Sequence, residues 1–349
     1  MSSQHLSVGV LYAAAFIIAG VVSGFATPLV VQLAVRLGIV DDDGAERRMH
    51  DQPKPRVGGI AVFLGFAFAL FAVLGFSSVS PFALLPANDQ FDAIHKLVGL
   101  LFGSLLILGV GIWDDVMHMR ARNKLVAQIL VALISMLYGF VIPGVNNPFD
   151  HNPGTNWIDF PIWIEVPLTL LWYVGMMNAI NFLDGLDGLL AGVAAISSIF
   201  LFAIAAVHGN PVVALVVIAL TGSALGFLPY NFNPARIILG DAGSLFIGYV
   251  FATVSIIGAS KTAIAISVVV PLLVLALPVL DTAAAIVRRA STGKRITEAD
   301  RGHFHHQLIF RFGLNVRQAV LLLYAVCFVL GAVALAFSGA FTHVFARST

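Results

Sequence analysis

The sequence predicts an all-α membrane protein, a polytopic bundle of about ten transmembrane helices with both termini on the outer, periplasmic side. Three observations predict it. Hydrophobic residues make up 59% of the 349-residue chain and charged residues only 11%, with a mean hydropathy of +0.95. Apolar runs long enough to cross a bilayer recur along the whole chain, and the basic residues gather on alternate connections between them. A soluble globular chain carries roughly 25% charged residues, so this composition excludes disorder, nucleic-acid binding and an ordinary cytosolic enzyme. A net charge of +1 points to no acidic partner. The single cysteine, Cys327, excludes an intramolecular disulfide and a cysteine-based metal site. No basic stretch precedes the first apolar run, so no cleaved signal peptide is expected.

A helix needs about 20 apolar residues to span the hydrocarbon core. Ten intervals qualify: 8–35, 57–76, 97–113, 125–142, 162–180, 189–207, 211–229, 243–260, 262–287 and 318–338. The second opens at Gly58-Gly59, after Pro53 and Pro55 have ended any earlier helix. The third closes on Asp114-Asp115, and the eighth starts at Gly240-Asp241-Ala242-Gly243-Ser244. The ninth holds Pro271 and Pro278, which would bend it and could open an apolar groove. What remains is too short for a separate soluble domain, and no internal repeat is visible, so residues 1–349 read as one membrane domain.

Orientation follows from lysine and arginine. If the first span ends in the cytoplasm and the others alternate, 16 of the 19 basic residues fall on cytoplasmic segments, leaving only Lys96, Lys261 and Arg347 outside. That is the positive-inside pattern. Asp114, Asp115, Asp184, Asp187, Asp241, His303, His305 and His306 fall on the same side, so any chemistry belongs to the inner surface.

Five constellations could carry that chemistry. Asp114 and Asp115 end the third span, where adjacent carboxylates repel unless solvated or near a cation; about 100° apart on a helix, they serve different partners. Balanced by Arg120 and Arg122, they could equally be a solvated helix end. Asn178, Asn181, Asp184 and Asp187 recur every third residue, so a helix would stack them along one drifting face. Polar groups so placed at the end of an apolar span are costly unless they serve a ligand, an ion or a water-filled cavity. The loop from Asn231 delivers Asp241 to a glycine-rich helix start, either as a ligand near a phosphate-binding N-terminus or as a simple N-cap. His303, His305 and His306 lie in the most basic connection, where they suit a diphosphate or anionic lipid headgroups. The run from Asp41 through His50 to Gly59 mixes charges of both signs and could be a solvated loop. Clustered carboxylates are the usual home of Mg²⁺ with water and phosphate, and cations and bases around such a metal suit phosphoryl transfer. At a membrane surface this points to a lipid acceptor.

With these runs in order from about Gly38 to Leu308, the chain resembles the polyprenyl-phosphate N-acetylhexosamine-1-phosphate transferases. Asn-x-x-Asn-x-x-Asp-Gly-x-Asp-Gly-Leu at 178–189 and His-x-His-His at 303–306 are the most specific matches. Arg-x-x-His-x-x-Pro-x-Pro-x-x-Gly-Gly at 47–59 is similar to the bacterial branch that uses N-acetylglucosamine rather than the muramoyl-pentapeptide nucleotide. The resemblance implies transfer of a sugar-1-phosphate from a UDP-N-acetylhexosamine to undecaprenyl phosphate with release of UMP. It implies Mg²⁺ or Mn²⁺ as cofactor, a multi-pass protein of the bacterial inner membrane, and initiation of a cell-surface glycan such as lipopolysaccharide O-antigen or a wall polymer. N-acetylfucosamine, N-acetylquinovosamine and the muramoyl pentapeptide are the alternative donors; membrane lipid is a partner, and a homodimer is left open.

The resemblance also assigns roles. Asp114, Asp115, His303, His305 and His306 are the catalytic set, with Asp114 the base on the lipid phosphate. Asp241 holds the metal, joined by Asp115 and Asp187. Asn178, Asn181, Asp184, Asp187, Asn231, Lys124, Arg289, Asp41 and His50 bind substrate. Ile237-Ile238-Leu239 replace an aromatic residue found there in many members, which removes a stacking partner for uracil from this loop. A secondary transporter would put its carboxylates near the bilayer midplane between repeated halves, and an ion channel would use the histidines as ligands; the one-sided carboxylates and the lack of repeats argue against both.

Overall fold

The computed structural model describes residues 3–40, 54–77, 90–146, 157–259 and 304–338, with the isolated positions 276, 280 and 284. They form α1 (Ser3–Leu37), α2 (Gly59–Ser77), α3 (Gln90–Met117), α4 (Ala121–Leu137), β1 (Gly144–Asn146), β2 (Trp157–Asp159), α5 (Ile162–Leu183), α6 (Leu189–Val207), α7 (Pro211–Asn231), α8 (Gly240–Ala259), α9 (Phe304–Phe310) and α10 (Val316–Phe337). Among the described residues seven helices, α1, α3, α5, α6, α7, α8 and α10, are long and apolar enough to cross a membrane. The chain is a multi-pass membrane protein. The apolar stretch of α2 and the 17-residue α4 are shorter. The ninth expected span, 262–287, lies outside the described residues except at positions 276, 280 and 284.

The all-α expectation needs one addition. β1 and β2 pair antiparallel, Gly144 opposite Asp159, across the connection between α4 and α5. Pro143 and Pro161 bracket this connection and hold its backbone outside the flanking helices. Helix starts follow local rules: Asn210 caps α7 ahead of Pro211, and Asn315 and Gln318 form a reciprocal capping box on α10.

Two helices make the centre. α7 packs against α1, α2 and α6, while α8 packs against α3, α5 and α2. Large apolar side chains on the periphery, such as Phe25, Leu29 and Phe328, are exposed, as a lipid-facing surface requires. Small residues let the helices meet closely where no hydrophobic drive pulls them together. Gly222 and Gly226 of α7 lie over the backbone of α1, where any Cβ would strike the Phe16 and Gly20 carbonyls.

The closest approach gathers helix ends. A Cβ on Gly59 would lie 2.1 Å from the Gly243 nitrogen, and one on Gly111 would lie 2.4 Å from the Ala242 Cα. Those two glycines let α2 and α3 press directly on the first turn of α8. Beside them the segment before α2 pairs with the loop before α8: Ile238 N–H donates to the Pro55 carbonyl, while the Gly58 and Gly59 amides donate to the Ile238 and Leu239 carbonyls, each at 2.9 Å. Gly59→Ala has no flexible neighbour to displace. It should lower stability by about 2 kcal/mol or more, read as a fall in melting temperature of the detergent-solubilised protein.

Candidate active site

The ends of α3, α5 and α7 and the starts of α2, α4, α6 and α8 converge, as alternating spans require. Asp114 and Asp115 occupy the last turn of α3 and point to different partners, as their spacing predicts. Asp115 closes the N-terminus of α8. Its Oδ1 accepts from the Asp241 N–H at 2.8 Å and its Oδ2 from the Ala242 N–H at 2.9 Å. A carboxylate here satisfies two of the free amides of a helix start and opposes its positive end. The capping role considered for Asp241 therefore belongs to Asp115, delivered from another helix.

That leaves the Asp241 carboxylate free to face the site. Lys124, at the start of α4, lies 2.9 Å from Asp241 Oδ2 and 2.9 Å from Asp114 Oδ2. The other Asp114 oxygen accepts from the Met119 N–H at 2.7 Å. Asn181 Nδ2 donates to Asp241 Oδ1 and to Ser244 Oγ, and its Oδ1 lies 3.5 Å from Lys124 Nζ. One ammonium thus bridges two carboxylates from helices α3 and α8.

The Asp184–Asp187 run corrects the helical expectation. α5 ends at Leu183, Asp184 is its C-cap, and Gly188 adopts a left-handed φ of 83° before α6 begins. The four polar residues therefore do not share a helical face. Asp187 turns toward the two loops. Its Oδ2 accepts from Lys54 Nζ at 3.1 Å, Asn233 Nδ2 at 3.1 Å and the Ala235 N–H at 3.0 Å. Asp184 stands beside the group. Burial, reinforced by the Asp241 charge, pushes its carboxyl up to about 7 against the opposing charge of Arg56 and the Gly240 amide.

Two expected substrate ligands are engaged within the protein. Asn231 is only 2% exposed, and its amide donates to the Ile237 carbonyl at 2.9 Å, shaping the loop before α8. Asn178 donates to Gln128 and to the Val174 carbonyl. His305 and His306 lie on α9. Asp41, His50, Arg289 and His303 lie outside the described residues. The structure adds Lys54, Arg56, Asn233 and Ser244, which sequence reasoning did not single out. The signal for the first two was a lysine and an arginine flanking Pro55, immediately before the glycine pair.

Among the described residues no three His, Cys, Asp or Glu side chains gather closely enough to form a metal cage. Asp241, Asp115 and Asp187 are not assembled as one ligand set, because Asp115 holds the α8 amides and Asp187 holds the two loops. The charge balance still fits a divalent cation. Among the described residues, five carboxylates (Asp114, Asp115, Asp184, Asp187, Asp241) gather with the cationic side chains of Lys54, Arg56 and Lys124. Mg²⁺ commonly takes one or two carboxylates and completes its shell with water and phosphate.

Residues 97–259, from α3 to α8, match Glycosyl transferase family 4. Over 324 residues, 90% of this chain and 82% of the relative, the sequence is 35% identical to the probable undecaprenyl-phosphate N-acetylglucosaminyl 1-phosphate transferase of Bacillus subtilis. The chain belongs to the polyprenyl-phosphate N-acetylhexosamine-1-phosphate transferase family. The transferase is also 34% identical to the decaprenyl-phosphate N-acetylglucosaminephosphotransferase of Mycobacterium tuberculosis, covering 88% of this chain and 77% of that one. It is 29% identical to the phospho-N-acetylmuramoyl-pentapeptide-transferase of Staphylococcus aureus, covering 77% and 81%.

In the transferase the two carboxylates at the head of α8 should respond differently to loss of charge. Asp115→Asn turns an amide NH₂ against one of the two backbone N–H groups now accepted, and should destabilise by about 1–2 kcal/mol. Asp241→Asn disturbs no cap and should melt close to the parent. Thermal melting of both variants in the same detergent measures the difference.

Proposed function

We propose that this protein transfers N-acetylglucosamine-1-phosphate from UDP-N-acetylglucosamine to undecaprenyl phosphate at the cytoplasmic face of a bacterial plasma membrane, releasing UMP and starting a cell-surface glycan. The observation that carries it is Lys124 bridging Asp114 and Asp241 where the helix ends meet. The donor and acceptor named for the B. subtilis relative support the choice of substrates, and the clustering of basic residues on one set of connections supports the cytoplasmic side.

The chemistry needs no protein nucleophile, because the acceptor brings its own phosphate oxygen. That oxygen attacks the sugar-bearing phosphorus of the donor; a P–O bond to the lipid phosphate forms as the P–O bond to UMP breaks. Positioning and charge neutralisation do most of the work in such a transfer. Asp114, held by Lys124 and the Met119 amide, is set to accept a proton from the lipid phosphate. Lys54, Arg56 and Lys124 bring positive charge to the diphosphate. Asp241 would hold Mg²⁺ or Mn²⁺ with Asp184 close by, and when bound the cation would neutralise the diphosphate charge. His303, His305, His306, Arg289, Asp41 and His50 are proposed to complete the anion-binding surface.

Purified protein given undecaprenyl phosphate and a panel of UDP-sugars should release UMP fastest from UDP-N-acetylglucosamine, and only when the lipid is present. Asp241→Asn should lose about a hundredfold or more of this rate. Equal release without the lipid would overturn the reading. Metal dependence should carry a pH signature. Below about pH 7 the raised Asp184 carboxyl is protonated and no longer attracts a cation, so the Mg²⁺ needed for half-maximal rate should rise between pH 8 and pH 6. Mg²⁺ titrations at the two pH values measure it.

A further inference from the structure

Asn178 stands in the polar run at the end of α5, but its amide faces away from the carboxylates. Its Nδ2 donates to Gln128 Oε1 at 2.8 Å and to the Val174 carbonyl at 2.8 Å. Gln128 lies on α4, is 1% exposed, and its Nε2 has no hydrogen-bond partner. An unmet donor in an apolar interior is costly, and an apolar side chain of similar shape would avoid the cost. The site therefore keeps an amide where packing and stability alone would favour methionine or leucine.

Position explains what the amide does. Lys124 precedes Gln128 by four residues and lies on the same face of α4, one turn nearer the helix start. Asn181 follows Asn178 by three residues and lies on the same face of α5. The Gln128–Asn178 bond thus crosses the α4–α5 seam one turn deeper than Lys124 and Asn181, which lie 3.5 Å apart on that seam. Apolar contacts along such a seam have no direction, whereas a slip of one residue moves a helix about 1.5 Å along its axis. Lys124 has little room for that slip, since it must keep 2.9 Å contacts with Asp114 on α3 and Asp241 on α8 together.

We propose that Gln128 and Asn178 are positioning residues: their hydrogen bond fixes the register of α4 against α5, so that Lys124 bridges the two carboxylates and Asn181 reaches Asp241 and Ser244. The proposal rests on the transfer reading above and assigns Asn178 to the alignment of the site instead of contact with the substrate.

The test uses full-length protein in detergent with undecaprenyl phosphate and UDP-N-acetylglucosamine, measuring UMP release and thermal melting. Gln128→Met removes the acceptor and the unmet donor at nearly constant volume. It leaves one Asn178 N–H without its acceptor in place of the unmet Gln128 donor, so it should melt close to the parent temperature while kcat falls about tenfold or more and KM for the UDP-sugar changes by less than about threefold. Asn178→Leu should give the same split, and Gln128→Met with Asn178→Leu should be no slower than the worse single variant, because both break one bond. Unchanged kcat in folded Gln128→Met overturns the proposal; should that variant fail to fold, unchanged kcat in Asn178→Leu does so equally. Losses that multiply in the double variant overturn it too. The parent enzyme separates the two readings: no UMP release from it overturns the transfer reading and this proposal together, whereas an active parent matched by the variants overturns this proposal alone.

Discussion

The site depends on one carboxylate at one helix start. Asp115 comes from α3 and accepts the Asp241 and Ala242 amides of α8. That pair of bonds does three things. It satisfies backbone donors that would otherwise be left at the head of an almost wholly buried helix. It ties α3 to α8 at a fixed height, which the absence of side chains at Gly59 and Gly111 makes sterically possible. It also relieves Asp241 of capping, so a second carboxylate faces outward from the same turn. Without Asp115, Asp241 would be drawn into the capping it now leaves to its neighbour.

Charge then organises the remainder. Carboxylates outnumber cationic side chains around the described site, and each is compensated differently: Asp115 by amides, Asp187 by Lys54, Asn233 and the Ala235 N–H, Asp114 and Asp241 by sharing Lys124. Asp184 is buried near Asp241 and is opposed by the Arg56 charge and the Gly240 amide.

The membrane fold was legible because apolar length is a one-dimensional signal. Nine of the ten expected intervals coincide with helices among the described residues, with ends that differ by at most seven residues. The carboxylates could be read as a group for the same reason: Asp114, Asp115, Asp184, Asp187 and Asp241 all close or open a span on one side. Their individual work could not be read. A period of three suggested a helical face from Asn178 to Asp187, whereas α5 ends at Leu183 and the turn before left-handed Gly188 carries Asp187 toward residues 54 and 233–235. The hydrogen bonds that Asn178 makes to Gln128 and Val174, and Asn231 makes to the Ile237 carbonyl, are likewise tertiary information. Lys54 and Arg56 stood in the charged run before the glycine pair, where nothing in the sequence told the side chains that reach the carboxylates from those that a solvated loop would hold.

The Asp187 contact has a bearing on how the protein is made. It joins Lys54 to a carboxylate 133 residues away and to the loop that follows α7, and that same loop forms backbone hydrogen bonds with Pro55, Gly58 and Gly59. A growing chain delivers these segments to the bilayer in order, so the lysine before α2 waits for Asp187, which arrives between α5 and α6, and the amides beside it wait until the loop after α7 has followed. Lys124 therefore stands beside Asp114 alone until α8 brings Asp241, and the bridge between the two carboxylates is among the last contacts of the site to form.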